Sequence, residues 1–517
     1  MTTMAAETGP TDLDILVHAA HEAYQGAYGV PPRERAGWLT AIADALDGAA
    51  DELVDLAQEE THLPEPRLRG ELTRTTFQLR LLADEVVAGQ PLDATIDHHD
   101  PDWGMGPRPD LRRVNVPLGV VGVFGASNFP FAFSVMGGDS ASALAAGCAV
   151  VHKIHQAHGR LGKRTADIVI DALGETSAPE DLFTAVTGQE AAEALVDHPL
   201  VKAVGFTGST AVGRILRERI NARPEPIPFY GELGSTNPVF VTEQAWAARR
   251  DQLLADYAGS LTLGMGQFCT KPGVLFVPDL DESATATLSE ALAGTPRFPM
   301  LSERLAEGYG KAVAAVSATD GVETLIDGAD RRDRVDAVAA AEEDDDGDDD
   351  DGGVDDEPSP TVLVTTAEEV RSRPEILGEE MFGPAGLVIR YGSESQLAAV
   401  AELLEGQLTA TVHGEPGEHP AELLSVLETR AGRVIWNGWP TGVTVSYAQQ
   451  HGGPHPATTA PGTTSVGTAA VRRFVRPVSF QSFADEHLPP ALQEDNPWGI
   501  ARRVDGVWHG PHETGGA

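Results

Sequence analysis

One thiol of this chain stands where a nucleophile could work. Cys269 lies in Gly264-Met-Gly-Gln-Phe-Cys-Thr-Lys-Pro-Gly273, a loop whose flanking glycines let another molecule approach the backbone closely. The other cysteine, Cys148 in Ala-Ala-Gly-Cys-Ala-Val, reads as a small buried apolar residue. Glu232 closes a β-like run just before Leu-Gly-Ser-Thr-Asn-Pro, which puts its carboxylate at a strand end where α/β proteins present reactive groups. A solvated acid at a strand end is the plainer alternative. Asn128, in Ala126-Ser-Asn-Phe-Pro130, reads from the residues alone as a turn residue before proline. Phe206-Thr-Gly-Ser-Thr-Ala-Val-Gly213 follows a strand pattern and opens a helix pattern, so its backbone N–H groups could face a phosphate. It lacks strict GxGxxG spacing, and a strand-to-helix turn calls for glycine on geometric grounds in any case.

The elements that must position these residues alternate. Apolar residues recur at helical spacing from Leu13 to Val87, with charges on the opposite face. Arg112 to Val123 reads as a strand, Ser140 to Gly147 as an Ala-rich helix and Ala149 to Ile154 as a short strand. Helices at 164–173, 190–197 and 212–220 then alternate with strands at 182–186, 203–207 and 228–232. This is the rhythm of a parallel, doubly wound sheet. A second α/β unit runs from about Ala245 to Gly442 and holds Cys269, and Ala470 to Ser482 reads as a strand that pairs elsewhere. Glu342 to Glu357 carries twelve acids in sixteen residues and reads as a solvated insertion, without the spaced ligands of a calcium loop.

Composition narrows the function. With 517 residues the chain has room for two or three folding units. Its 37 basic against 78 acidic side chains leave a net charge of −41, which repels phosphate backbones and anionic lipid. Neither nucleic acid nor membrane is an expected partner. Only Lys153, Lys163, Lys202, Lys271 and Lys311 occur, and acid excess with so few lysines suits a high-salt cytoplasm; an acidic protein from a GC-rich genome is the other reading. Two cysteines are too few for a disulfide framework, and Met1 to Asp12 lacks an export pattern, so a cytoplasmic location is expected. Val116 to Gly138 is long and uncharged, but Gly122, Gly125, Asn128 and Pro130 break it, so it reads as a buried strand entering a turn.

Six segments occur in a telling order: Asn128-Phe-Pro, Ala145-Ala-Gly-Cys-Ala-Val-Val-His-Lys153, Phe206-Thr-Gly-Ser209, Glu232-Leu-Gly, Gly266-Gln-Phe-Cys269 and Glu380-Met-Phe-Gly-Pro384. In them the chain resembles the aldehyde dehydrogenase superfamily, from roughly Asp14 to Phe483. Within it, Phe124-Gly-Ala-Ser-Asn-Phe-Pro-Phe-Ala-Phe-Ser, Glu232-Leu-Gly-Ser-Thr-Asn-Pro, His451-Gly-Gly-Pro and Thr464-Ser-Val-Gly-Thr-Ala-Ala are most similar to the α-ketoglutaric semialdehyde (2,5-dioxovalerate) dehydrogenases. The resemblance implies an α/β, aldehyde dehydrogenase-like fold. Its parts would be a Rossmann-like cofactor domain (residues 1–90 and 119–244), an α/β catalytic domain (245–442, with the insertion 342–357) and a β oligomerisation arm (91–118 and 470–483). A homodimer or homotetramer is implied, and no metal.

The resemblance also assigns chemistry. An aldehyde gives up hydride only after its carbonyl carbon becomes tetrahedral, and Cys269 matches the family's nucleophile. Asn128 and the Cys269 N–H match the oxyanion donors, and Glu232 the base that activates water on the thioester, with a pKa expected to be raised. Lys153, Gln156, Gly208, Ser209, Gly213, Glu380 and Phe382 match cofactor-binding positions. NAD-preferring members often carry a glutamate where this chain has Gln156, with His155, His158 and Arg160 close by, so NADP is favoured and NAD stays open. The implied substrate is a carboxylated semialdehyde, 2,5-dioxopentanoate giving 2-oxoglutarate in pentose or sugar-acid breakdown. His455 and Gly462 replace an expected tyrosine and arginine, which leaves the carboxylate's partner open between His455 and a nearby arginine. An NAD-dependent dehydrogenase of an uncharged aldehyde, and a non-catalytic binding protein on the same fold, are the alternatives.

Overall fold

The computed structural model describes residues 7–327 and 357–511; the acidic stretch read as an insertion lies outside them except for Glu357. Four helices open the chain, Pro10–Ala27, Pro32–Gly48, Ala50–Thr61 and Glu65–Ala88. Leu13, Val17, Ala20, Ala23 and Ala27 are buried at steps of three and four, the spacing of one helical face. The Glu65–Ala88 helix buries Leu68, Leu72, Leu79 and Leu82 in the main core and ends on Gly89, whose φ of 76° makes the left-handed cap.

Against these helices lies a five-stranded parallel sheet in the order Phe183–Val186, Ala149–Lys153, Val120–Phe124, Val201–Thr207, Phe229–Glu232. The chain enters at Val120–Phe124, builds outward to Phe183–Val186, then returns to add Val201–Thr207 on the other side. That reversal leaves a crevice beyond the carboxyl ends of the strands. The register aligns Phe124 with Lys153 and Phe206, and Thr207 with Glu232, so Lys153, Gly208 and Glu232 emerge at the same edge.

A second sheet runs Glu323–Ile326, Thr361–Thr366, Ala385–Arg390, Val274–Val277, Val239–Val241, Gln407–His413, Ala431–Trp436, parallel except for its first strand. Its central strands are buried on both faces between two apolar clusters. Val239–Val241, which the sequence reading assigns to the cofactor unit, hydrogen-bonds into this second sheet instead. A third sheet joins Val475–Gln481, Leu111–Pro117, Thr95–Asp97, Arg502–Val504 and Val507–His509.

Two strand readings change. The run from Arg112 to Val123 is two strands in two sheets, divided at Gly119, whose φ of 135° turns the chain between them. Of Ala470 to Ser482, the first part lies in the 3₁₀ turn Thr468–Phe474 and only Val475–Gln481 is strand, antiparallel to Leu111–Pro117. Among the described residues no helix is long and apolar enough to cross a membrane.

Candidate active site

The Cys269 loop is built from backbone that L-residues rarely adopt. Gly264, Met265 and Gly266 carry φ of 59°, 57° and 65°, so the chain coils tightly before the cysteine. A side chain at Gly266 would put its Cβ 2.2 Å from the Gly383 carbonyl oxygen, so glycine there lets this loop rest directly on the Glu380–Pro384 loop. Asn237, fully buried, donates its amide to the carbonyls of Cys269 at 2.8 Å and Lys271 at 2.9 Å and fixes the loop from below. Asn128 donates Nδ2 to the carbonyl of Gln267 at 3.0 Å, two residues before the thiol, and its own carbonyl accepts from Arg67. The Cys269 N–H has no acceptor among the described residues.

Cys269 Sγ lies 3.7 Å from His451 Nε2, and the same nitrogen lies 2.8 Å from Glu232 Oε1. Ser465 donates its hydroxyl to the other carboxylate oxygen. The sequence reading expects the Glu232 carboxyl to be raised, and the structure corrects this. Burial pushes it up, but His451, Ser465 and Arg473 together hold it below the ordinary carboxylate range. The Cys269 thiol moves the other way, well above its usual value, pushed by burial and then by the charges of Glu232 and Glu380; Arg433 and Arg74 pull against this. The donor atoms of Cys269, Glu232 and His451 lie within 4.8 Å of one another.

The thiol faces a cavity of about 180 Å³ lined by Arg67, Glu71, Arg74, Phe129, Phe133 and Phe268, among others. His455 is exposed and does not line it.

Of the residues expected to bind a cofactor, Glu380 comes close to Gly234. A Cβ there would meet Glu380 Oε2 at 2.3 Å and Thr210 Oγ1 at 3.1 Å, so both groups crowd this glycine. Ser209 caps the helix Thr210–Asn221 by accepting from Val212, and the Thr210 and Ala211 N–H groups have no acceptor among the described residues. Such a helix start suits a phosphate. Gly208 donates its N–H to Glu232 O at 3.1 Å. Gly213 is buried and faces Leu233, whose Cδ2 would be 2.3 Å from an added Cβ, so close helix–strand packing accounts for this glycine. Glu380 is pushed up to about 7 by burial, opposed by Lys271, whose ammonium is held by the carbonyls of Met381 and Ala385 at 2.6 Å each. Phe382, half-buried, follows in the same loop and donates its N–H to Glu380 O at 3.1 Å.

Lys153 ends its strand half-buried, its ammonium without an acceptor among the described residues, and burial lowers its pKa. Gln156 is exposed at the next turn. The expected cationic surroundings of Gln156 do not form. Burial pushes His155 down to about 3 and lowers His158, which is bonded to the Ala126 carbonyl, so both rings are neutral. Arg160 is paired with Glu59 at 2.8 Å, and Glu60 accepts the N–H groups of Arg160 and Leu161.

His451, Ser465 and Asn237 are the residues sequence reasoning missed. All three lie inside the quoted motifs, but nothing local marks them as neighbours of the thiol or the carboxylate.

A model of the aldehyde dehydrogenase family matches residues 1–458. Alpha-ketoglutaric semialdehyde dehydrogenase 2 of Azospirillum brasilense is 42% identical over 502 residues, 96% of this chain and 91% of that one. Alpha-ketoglutaric semialdehyde dehydrogenase of Acinetobacter baylyi is 37% identical over 501 residues, with the same coverage of 96% and 91%. Among solved structures, a mutant of aldehyde dehydrogenase C from Pseudomonas syringae, complexed with NAD+ and octanal, aligns with a TM-score of 0.73 at 20% identity, over 93% of this chain and 90% of that one. This last likeness is one of fold.

Proposed function

The chain belongs to the aldehyde dehydrogenase family and oxidises aldehydes to acids; from that premise we propose that its substrate is 2,5-dioxopentanoate, its product 2-oxoglutarate and its preferred hydride acceptor NADP+, within pentose or sugar-acid breakdown. The names of the two relatives support the substrate. The observation that carries the chemistry is the line Cys269–His451–Glu232 beside the cavity.

Cys269, its thiol proton given up to solvent, adds its sulfur to the carbonyl carbon, and Glu232 stays ionised beside it with His451 Nε2 within reach of both groups. The resulting oxyanion would be held by the Cys269 N–H and by the second N–H of Asn128 Nδ2, whose first is bonded to the Gln267 carbonyl, donors each worth about 3 kcal/mol in comparable sites. The free N–H groups of Thr210 and Ala211, the Lys153 ammonium and the carboxyl group of Glu380 would hold a dinucleotide along the strand ends, and Phe382 would line its nicotinamide. Bound there, the oxidised nicotinamide supplies the hydride acceptor. Hydrolysis of the thioester on Cys269 falls to Glu232, ionised at neutral pH and so able to take a proton from water. NADP preference rests on Gln156, which lacks the charge that would repel a 2′-phosphate. The acid excess fits a cytoplasm rich in salt.

The test is an aldehyde panel with NAD+ and NADP+ in molar potassium chloride, with Cys269→Ser beside the native enzyme. Oxidation of 2,5-dioxopentanoate that falls at least about 10⁴-fold in the variant is expected. An unchanged rate in Cys269→Ser would falsify the mechanism.

A further inference from the structure

The cavity beside Cys269 is lined by two arginines and one glutamate, and although Glu71 attracts both arginines, three of their guanidinium nitrogens are left without an acceptor among the described residues. Arg67, Glu71 and Arg74 follow one another at steps of four and three on the helix Glu65–Ala88, so they share a face, and all three line the cavity. Arg74 donates Nε to the Val443 carbonyl at 3.2 Å, while both of its Nη atoms are buried without an acceptor among the described residues. Arg67 donates Nη2 to the Asn128 carbonyl at 2.6 Å and leaves Nη1 buried and equally bare. Glu71, the acid on the same face, accepts the N–H groups of Phe131 and Ala132 through Oε1 at 2.9 Å each, and its Oε2 has no partner among the described residues.

A buried guanidinium with two open donors is costly to keep. This chain has 78 acidic side chains, so another acid beside Arg74 would have been easy to supply. What the fold offers there is a two-donor fork, the shape that grips a carboxylate with two parallel hydrogen bonds. The arginine also stays anchored: its Cζ lies 5.3 Å from the Phe133 ring centroid, and Nε is tied to the backbone. The cavity of about 180 Å³, lined by both Cys269 and Arg74, has room for a short chain between thiol and fork.

We propose that Arg74 binds the carboxylate remote from the aldehyde, with Arg67 Nη1 adding a second positive charge, and so makes the enzyme specific for ω-oxo acids. This rests on the reading that the chain oxidises a carboxylated aldehyde. It also answers the question raised by His455 and Gly462: the guanidinium comes from the fourth helix.

The test compares 5-oxopentanoate with pentanal, equal in length and different in charge. The native enzyme favours 5-oxopentanoate. Arg74→Met loses about 30-fold or more in kcat/KM on 5-oxopentanoate, chiefly through KM, while pentanal loses at least about tenfold less. Arg74→Lys, which keeps the charge and lacks the fork, falls between. With pentanal as substrate, the inhibition constant of glutarate rises in Arg74→Met by a similar factor. Equal fractional losses on both aldehydes, or an unmoved glutarate constant, would show Arg74 to be structural and overturn the proposal. A native enzyme that takes pentanal as well as 5-oxopentanoate overturns the carboxylate seat while aldehyde oxidation stands; one that takes neither of these nor 2,5-dioxopentanoate removes the functional reading itself.

Discussion

Cations at the thiol end and at the Gln156 turn are treated in opposite ways. Around Gln156, Arg160 is bound to Glu59, Glu60 covers the neighbouring N–H groups, and His155 and His158 are kept neutral by burial. Beside Cys269, Arg74 and Arg67 are half-buried, with Arg67 Nη1 and both Nη atoms of Arg74 enclosed and without acceptors among the described residues. In a chain where acids outnumber bases 78 to 37, pairing is the ordinary fate of an arginine. A guanidinium left bare therefore marks a place where negative charge arrives from outside, and the difference separates charge that holds the fold from charge that serves a ligand.

The largest break in this contrast comes from the carboxylate that shares the thiol end. Glu232→Gln should slow steady-state turnover by about 10²- to 10³-fold, because thioester hydrolysis loses its base, while a burst of reduced nucleotide survives. The same variant moves the thiol. Glu232 is the first charge, after burial, that raises the Cys269 pKa, so removing it makes the thiolate cheaper to form. The pH midpoint for alkylation of Cys269 by iodoacetamide should shift downward. A burst that vanishes, or an alkylation profile shifted upward, would sink both the role and the electrostatic reading.

What could be read in advance was local. Strand periodicity and the residues closing each strand place Lys153, Gly208 and Glu232 at one sheet edge, because a parallel register follows from the alternation of elements. The contact between Gly266 and Gly383 seats the Cys269 loop on the Glu380–Pro384 loop, a meeting of distant segments that neither motif shows by itself. The miss on Glu232 had a non-local cause: its partners His451, Ser465 and Arg473 arrive from the far end of the chain and reverse the effect of burial. Arg67 and Arg74 were hidden by their helix, where charges opposite an apolar face read as solvated. Their steps of four and three matched a single face, but only the packed structure shows that this face borders the cavity beside Cys269.

Two smaller changes at the Gln156 turn sharpen the contrast. Gln156→Glu should reduce kcat/KM with NADP+ by about tenfold or more and leave NAD+ within about threefold, since a new carboxylate repels a 2′-phosphate. Equal effects on both nucleotides would take Gln156 away from that phosphate. The smallest effect is expected from Arg160→Ala. Its guanidinium is half-exposed and already spent on Glu59, and exposed pairs contribute about 0 to 1 kcal/mol. The variant should change kcat/KM with NADP+ by less than about threefold, against the 30-fold or larger loss expected from Arg74→Met on 5-oxopentanoate. A tenfold rise in KM for NADP+ alone would mean that Arg160 leaves Glu59 when the nucleotide binds, and pairing in the unliganded fold would then no longer distinguish a structural cation from a functional one.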